Sequence, residues 1–136
     1  MDKRILLPTD FSKNALNAIR YALDLYADRK CTFYFLNVFQ VDGFAIDGFA
    51  YRPVQDKRNY EIEKRKSEEH FEKLKQILDL RPKNPNHSYE TIVTYNTLFE
   101  ATKDCIAKND IEIIIMLGKL NISLRGAWMF NNVGGQ

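Results

Sequence analysis

Apolar and polar positions along this chain fall into two periods. Ile5-Leu6-Leu7 is a short apolar run closed by Pro8-Thr9-Asp10, which reads as a buried strand ending in a turn. Ser12 stands where an N-cap would, its hydroxyl placed to accept an orphan backbone N–H. Ala15, Ile19, Ala22, Leu23 and Tyr26 then recur at helical spacing and predict a helix of about four turns with one core face. Cys31 to Phe39 (CTFYFLNVF) is almost wholly β-branched, aromatic or apolar. A strand covered on both faces has that composition, and such strands belong to parallel sheets.

Gln40 to Gln55 reads as an irregular loop. It holds Asp42-Gly43-Phe44-Ala45 and Asp47-Gly48-Phe49-Ala50, a near-repeat too short for a solenoid. Its Phe side chains either fold back onto the core or present a lid or partner-binding surface. From Asp56 to about Leu80 the chain is densely charged but ordered. Tyr60, Ser67, Leu74 and Lys64, Phe71, Leu78 interleave at heptad spacing, predicting one long helix with a thin apolar seam and a solvated outer face. Arg81 to His87 is a connector, and Ser88 to Tyr95 alternates as a strand. Asn96 to Asn109 reads as a helix, and Ile111 to Leu117 (IEIIIML) as a fourth strand. This order, β-α-β-loop-α-β-α-β without a linker, implies one α/β domain: an open parallel sheet with helices on both faces.

Composition adds exclusions. The 136 residues fit one domain, and 20 Lys+Arg against 18 Asp+Glu leave a net charge of +2. Bulk charge therefore advertises no nucleic-acid partner. No apolar stretch approaches the roughly 20 residues that span a bilayer. The first residues lead straight into a strand without a signal-peptide core, so the expected location is cytoplasmic and no membrane partner is expected. Cys31 and Cys105 lack a CxxC spacing or a His pair, so no metal site is expected and both read as buried or half-buried free thiols. His70, in the charged helix, and His87, in the connector, carry no chemical signal.

Ligands of open parallel sheets bind at the carboxyl ends of the strands, where strand order reverses. That rule selects Pro8-Thr9-Asp10, Val38-Phe39, Tyr95-Asn96 and the stretch from Gly118. Asp10 is either a ligand group or simply the capping Asp of a strand-to-helix turn. The helix starting near Ser12 offers free N–H groups to an anion. Gly118 permits close backbone approach, as a phosphate cradle requires.

Four segments together resemble the universal stress protein family: Ile5 to Leu23 (ILLPTDFSKNALNAIRYAL), Phe35 to Phe39 (FLNVF), Asp110 to Gly118 (DIEIIIMLG) and Phe130 to Val133 (FNNV). The resemblance spans almost the whole chain and keeps the family's order. It implies a Rossmann-like, adenine nucleotide alpha hydrolase-like fold, a cytoplasmic setting, frequent dimers and no defined catalytic reaction. Some members bind ATP, through Gly, two residues, Gly, nine residues, then Gly followed by Ser or Thr. On this chain Gly118 matches the first glycine, but Asn121 and Asn131 replace the others. Asn132 takes the place of the hydroxyl residue, and Val133 matches the apolar residue after it. Two of three glycines are lost, which argues against tight triphosphate binding, although Asn tolerates left-handed backbone. Ser123, Arg125 and Gly126 offer an alternative donor set.

By the same resemblance Asp10 and Val38 match positions that contact base or ribose, Thr9 lines that crevice, and Met116 closes the strand beside it. The implied cofactor site is thus Thr9, Asp10, Val38, Met116, Gly118, Asn121, Asn131, Asn132 and Val133. It favours AMP, adenosine or no nucleotide at all over ATP. Three functions compete: a non-enzymatic stress-response domain acting through dimerisation, an ATP-binding switch with at most slow hydrolysis, and an adenylyl-transferring enzyme. The last lacks paired carboxylates or a Cys/His arrangement near the strand ends. Family members normally continue past Val133 with a further helix and strand. The expectation is therefore a chain lacking that unit, naturally short or the first part of a tandem protein. An apolar sheet edge or helix-binding face is then expected to be left open and to be covered by a homodimer or higher oligomer.

Overall fold

The computed structural model describes residues 2–39, 53–116 and 128–130, the side chains of 53–58 and 128–130 excepted. In chain order the elements are β1 (Lys3–Pro8), α1 (Lys13–Leu25), β2 (Cys31–Phe39), α2 (Pro53–Asp79), β3 (His87–Tyr95), α3 (Leu98–Asn109), β4 (Ile113–Ile115) and β5 (Trp128–Phe130). The strands form one sheet in the order β3-β2-β1-β4-β5, and every pairing is parallel. The α/β architecture read from the alternating pattern is therefore the observed one.

Strand alternation sorts the core into two layers. Ile5, Leu7, Phe33, Phe35, Ile113 and Ile115 face one side, packed with Ile19, Ala22 and Leu23 of α1 and Phe71, Leu74 and Leu78 of α2. Leu6, Tyr34, Leu36 and Ile114 face the other, under Ala101 and Cys105 of α3. Each large side chain fully buried here stabilises the fold by about 1.5–3 kcal/mol. β2 runs through the middle of both layers, and seven of its nine residues are buried.

Local signals set the element ends. Ser12 caps α1, its Oγ accepting from the Ala15 N–H at 3.1 Å. Thr97 caps α3 in the same way through the Glu100 N–H, and Asp110 ends it in the left-handed region, at φ 52°. The α2 seam holds Ser67, Phe71, Leu74 and Leu78 buried. Its outer face carries the exposed pairs Glu63–Lys66 and Glu72–Lys75, each worth little in water. Both thiols, Cys31 and Cys105, are free and buried.

The pattern reading needs correction at several points. α2 begins at Pro53, three residues inside the expected loop; the remainder of that loop, 40–52, with both DGFA tetrapeptides, lies outside the described residues. Pro is well suited to a first helical position, where its missing N–H is not needed. α3 starts at Leu98, because Asn96 and Thr97 form its capping turn. β4 is shorter than Ile111 to Leu117. Its ladder with β1 starts at Ile5↔Ile113, while Ile111 turns under α3 into the second layer. His87 is not in a loop but opens β3, opposite Cys31, with its ring edge-on to Phe33 and a ring nitrogen 2.8 Å from the Tyr26 carbonyl oxygen. The four-strand count also changes. Trp128–Phe130 pairs with β4 as a fifth strand at the sheet edge. Three residues are too few to display a period of two.

Candidate functional site

The strand order determines where a site forms. From β1 the chain steps outward through β2 to β3, then returns to lay β4 on the other side of β1. α1 and α2 cover one face and α3 the other, so the connections diverge between β1 and β4 and leave a crevice at their carboxyl ends. A cavity of about 400 Å³ lies there. The β1 end and its turn contribute Pro8, Thr9, Asp10 and Ser12, and α1 contributes Asn14 and Ala15. β2 adds Leu36, Asn37 and Val38, while Asn96, Leu98 and Met116 complete the described wall.

The turn after β1 is held by its own side chains. Thr9 is buried; its Oγ1 accepts the Phe11 N–H at 3.0 Å, and its own N–H donates to the Leu36 carbonyl at 2.8 Å. The Asp10 Oδ1 accepts the Ser12 N–H at 2.9 Å. Partial burial of Asp10 pushes its carboxyl upward, but hydrogen bonds from the Ser12 hydroxyl and backbone outweigh this and hold it below the ordinary value of 3.8. Asp10 is therefore ionised at neutral pH and presents a negative charge at the cavity wall. The amides of Lys13 and Asn14 lie in the first turn of α1, where no carbonyl a turn earlier is available to bond them.

Asn37 is the unexpected member. It is a buried polar residue in an otherwise apolar strand, and both ends of its amide are used. Its Nδ2 donates to the Thr9 carbonyl at 2.9 Å, and its Oδ1 accepts from the Ser67 hydroxyl of α2. The cavity thus gathers Thr9, Asp10, Val38 and Met116 from the residues singled out in the sequence. It also takes in Asn96, from a strand end that the parallel-sheet rule selects, and Ser12, from the helix start noted beside it, and it adds Asn14 and Asn37, which the sequence reading did not name for the site. The signal for Asn37 was present, as the one amide in a nine-residue apolar run. Gly118, Asn121, Asn131, Asn132 and Val133 lie outside the described residues. Among the described residues no group of three or more His, Cys, Asp or Glu is arranged to hold a metal, and no helix is long and apolar enough to cross a membrane.

A parallel sheet of this order with a crevice at its reversal point defines a Rossmann-like α/β domain. The family model of the universal stress protein family matches residues 1–126, and the chain belongs to that family, whose role is general stress response. Its fold is similar to that of the universal stress protein UspA from Lactobacillus plantarum, at 16% identity and TM-score 0.69, covering 95% of this chain and 96% of that one. It is also similar to hypothetical protein MJ0577, at 16% identity and TM-score 0.66, covering 95% of each chain. A universal stress family protein from Burkholderia pseudomallei aligns with TM-score 0.54 and 16% identity, over 84% of this chain and 80% of that one. No curated protein matches the sequence.

Proposed function

We propose that this chain is a non-enzymatic, cytoplasmic stress-response domain that acts as a homodimer or higher oligomer and binds an adenine nucleoside or AMP, weakly, at the β1–β4 crevice. The observation that carries the ligand reading is the cavity wall itself. Its described side chains include one carboxylate, four neutral hydrogen-bonding groups of Asn and Thr, and apolar surface from Leu36, Val38, Leu98 and Met116, with no cationic side chain among them. Apolar walls with a few convergent polar groups suit a base and a ribose. A triphosphate brings several negative charges toward Asp10. Support for binding without chemistry comes from the turn: the Asp10 carboxylate and Ser12 hydroxyl are both engaged with its backbone.

Calorimetric titration with adenosine, AMP, ADP and ATP in Mg²⁺ tests this. Affinity is expected to fall as phosphates are added, and the spread should shrink as salt rises. Submicromolar ATP binding would overturn the reading in favour of an ATP-binding switch. Asn121→Gly with Asn131→Gly should raise ATP affinity if those side chains obstruct a phosphate loop. Light scattering checks the oligomer, and a monomer at high concentration would refute that part.

A further inference from the structure

Three residues of α2 on one helical face, Ser67, His70 and Phe71, all reach the turn between β1 and α1. Their spacing of i, i+3 and i+4 brings them together one above the other. Ser67 reaches it through Asn37. The Ser67 hydroxyl donates to the Asn37 amide oxygen, and the Asn37 amide nitrogen donates to the Thr9 carbonyl. His70 and Phe71 reach it through Phe11, whose ring stacks on His70 at 4.9 Å between centroids and meets Phe71 edge-on at 4.8 Å.

Both contacts act on backbone that needs holding. The Thr9 carbonyl belongs to the peptide plane that leads into Asp10, and it points at a side chain rather than along the ladder. Phe11 sits at φ 65°, in the left-handed region that a residue with a Cβ enters only at a cost. A buried amide in a central strand is also costly unless fully bonded, so a valine at position 37 would serve packing alone better. Asn37 is instead satisfied only when α2 is docked with Ser67 in register.

We propose that α2 is a positioning arm for the switch-point site: Ser67, acting through Asn37, sets the Thr9–Asp10 peptide, while His70 and Phe71 hold Phe11 and so fix the turn that carries Asp10. Ser67 is a positioning residue that does not line the cavity. The ligand-dependent part rests on the nucleoside reading above. By linkage, a ligand that binds the ordered turn more tightly also tightens the docking of α2, and loosening α2 weakens that ligand by the same factor.

The test uses the full chain and Ser67→Ala, which removes the hydroxyl and leaves a good helix former. Backbone amide exchange by NMR is read at Thr9, Phe11 and Ser12, with Ile114 of β4 and Cys105 of α3 as references. Exchange at the three turn amides should accelerate by about tenfold, the equivalent of one buried hydrogen bond, while the references stay at wild-type rates. Ser67→Thr, which keeps the hydroxyl, should restore slow exchange. Adenosine affinity in Ser67→Ala should fall by a similar factor. Unchanged turn amides would overturn the proposal. Uniform acceleration at turn and reference sites would do the same, because it would reveal a purely structural role. A wild-type chain that binds no adenosine would remove the nucleoside reading, and the exchange pattern would still decide whether α2 positions the turn.

Discussion

Phe11 offers a direct measure of how much strain the turn stores. Its ring makes two aromatic contacts with α2, and each such pair contributes about 0.5–1.5 kcal/mol beyond simple burial. Partial burial of the ring adds about 1 kcal/mol, so Phe11→Ala should destabilise the domain by about 2–4 kcal/mol. Alanine there still carries a Cβ at φ 65° and keeps a left-handed penalty of about 1–2 kcal/mol. Glycine escapes that penalty but gains freedom in the unfolded chain, a loss of about 0.4–1 kcal/mol. The difference favours glycine by about 0–1.6 kcal/mol, so Phe11→Gly should be at least as stable as Phe11→Ala. Urea denaturation followed by far-ultraviolet circular dichroism gives both values, with equal slopes required for the comparison. Ala107, exposed on α3, is the control: Ala107→Gly should lose about 1 kcal/mol in the usual direction. If Phe11→Gly falls below Phe11→Ala by as much as that control does, position 11 is not held left-handed and the argument from strain fails.

Two further outcomes follow from single side chains. The native Asp10 carboxyl holds its proton more weakly than the unfolded one, so its ionised form stabilises the fold above the ordinary value of 3.8, and that contribution is lost as pH falls through the lower native value. Asp10→Ala should therefore destabilise the domain more at pH 7 than at pH 3 in parallel denaturant titrations, and a pH-independent difference would contradict the assignment. Thr102, on the buried face of α3, has a hydroxyl with no hydrogen-bond partner among the described residues. Thr102→Val replaces that oxygen with a methyl of similar size and should raise stability by about 1 kcal/mol, read as a higher denaturation midpoint; a loss of that size would mean the hydroxyl is bonded.

The central elements were legible because their signals are dense. Cys31 to Phe39 is nine residues without a polar break longer than one, and the strand has those bounds. Ser12 announced its cap because an N-cap needs a short side-chain oxygen, and the helical repeat follows at once. Trp128–Phe130 escaped because a strand of three residues has no periodicity to read. The site divided along similar lines. Thr9 and Asp10 stand at the end of an obvious strand and were found by the rule for parallel sheets. Asn37 and Ser67 stand inside a strand and a helix whose patterns are otherwise apolar at those positions. Thirty residues separate them, and only the packing of α2 against β2 brings them within bonding distance.

Charge is what joins the turn, the cavity and the choice of ligand. The first turn of α1 offers an anion the dipole and free amides of a helix N-terminus, an attraction of about 0.3–1 kcal/mol. Asp10 stands at the same corner, and its carboxylate is ionised because the backbone it shapes also bonds it. Asp10 is exposed, and charges at a solvated surface interact by about 0.2–1 kcal/mol, so a phosphate brought against Asp10 meets a repulsion that offsets the helix attraction. A ribose hydroxyl meets no such repulsion, since it donates to the carboxylate directly. The corner that a bare helix N-terminus would make a phosphate site is thereby suited to a sugar. On the proposed reading the described wall, with one carboxylate and no cationic side chain, suits the neutral end of a nucleotide, and α2, through Asn37 and Phe11, is proposed to keep that wall in place.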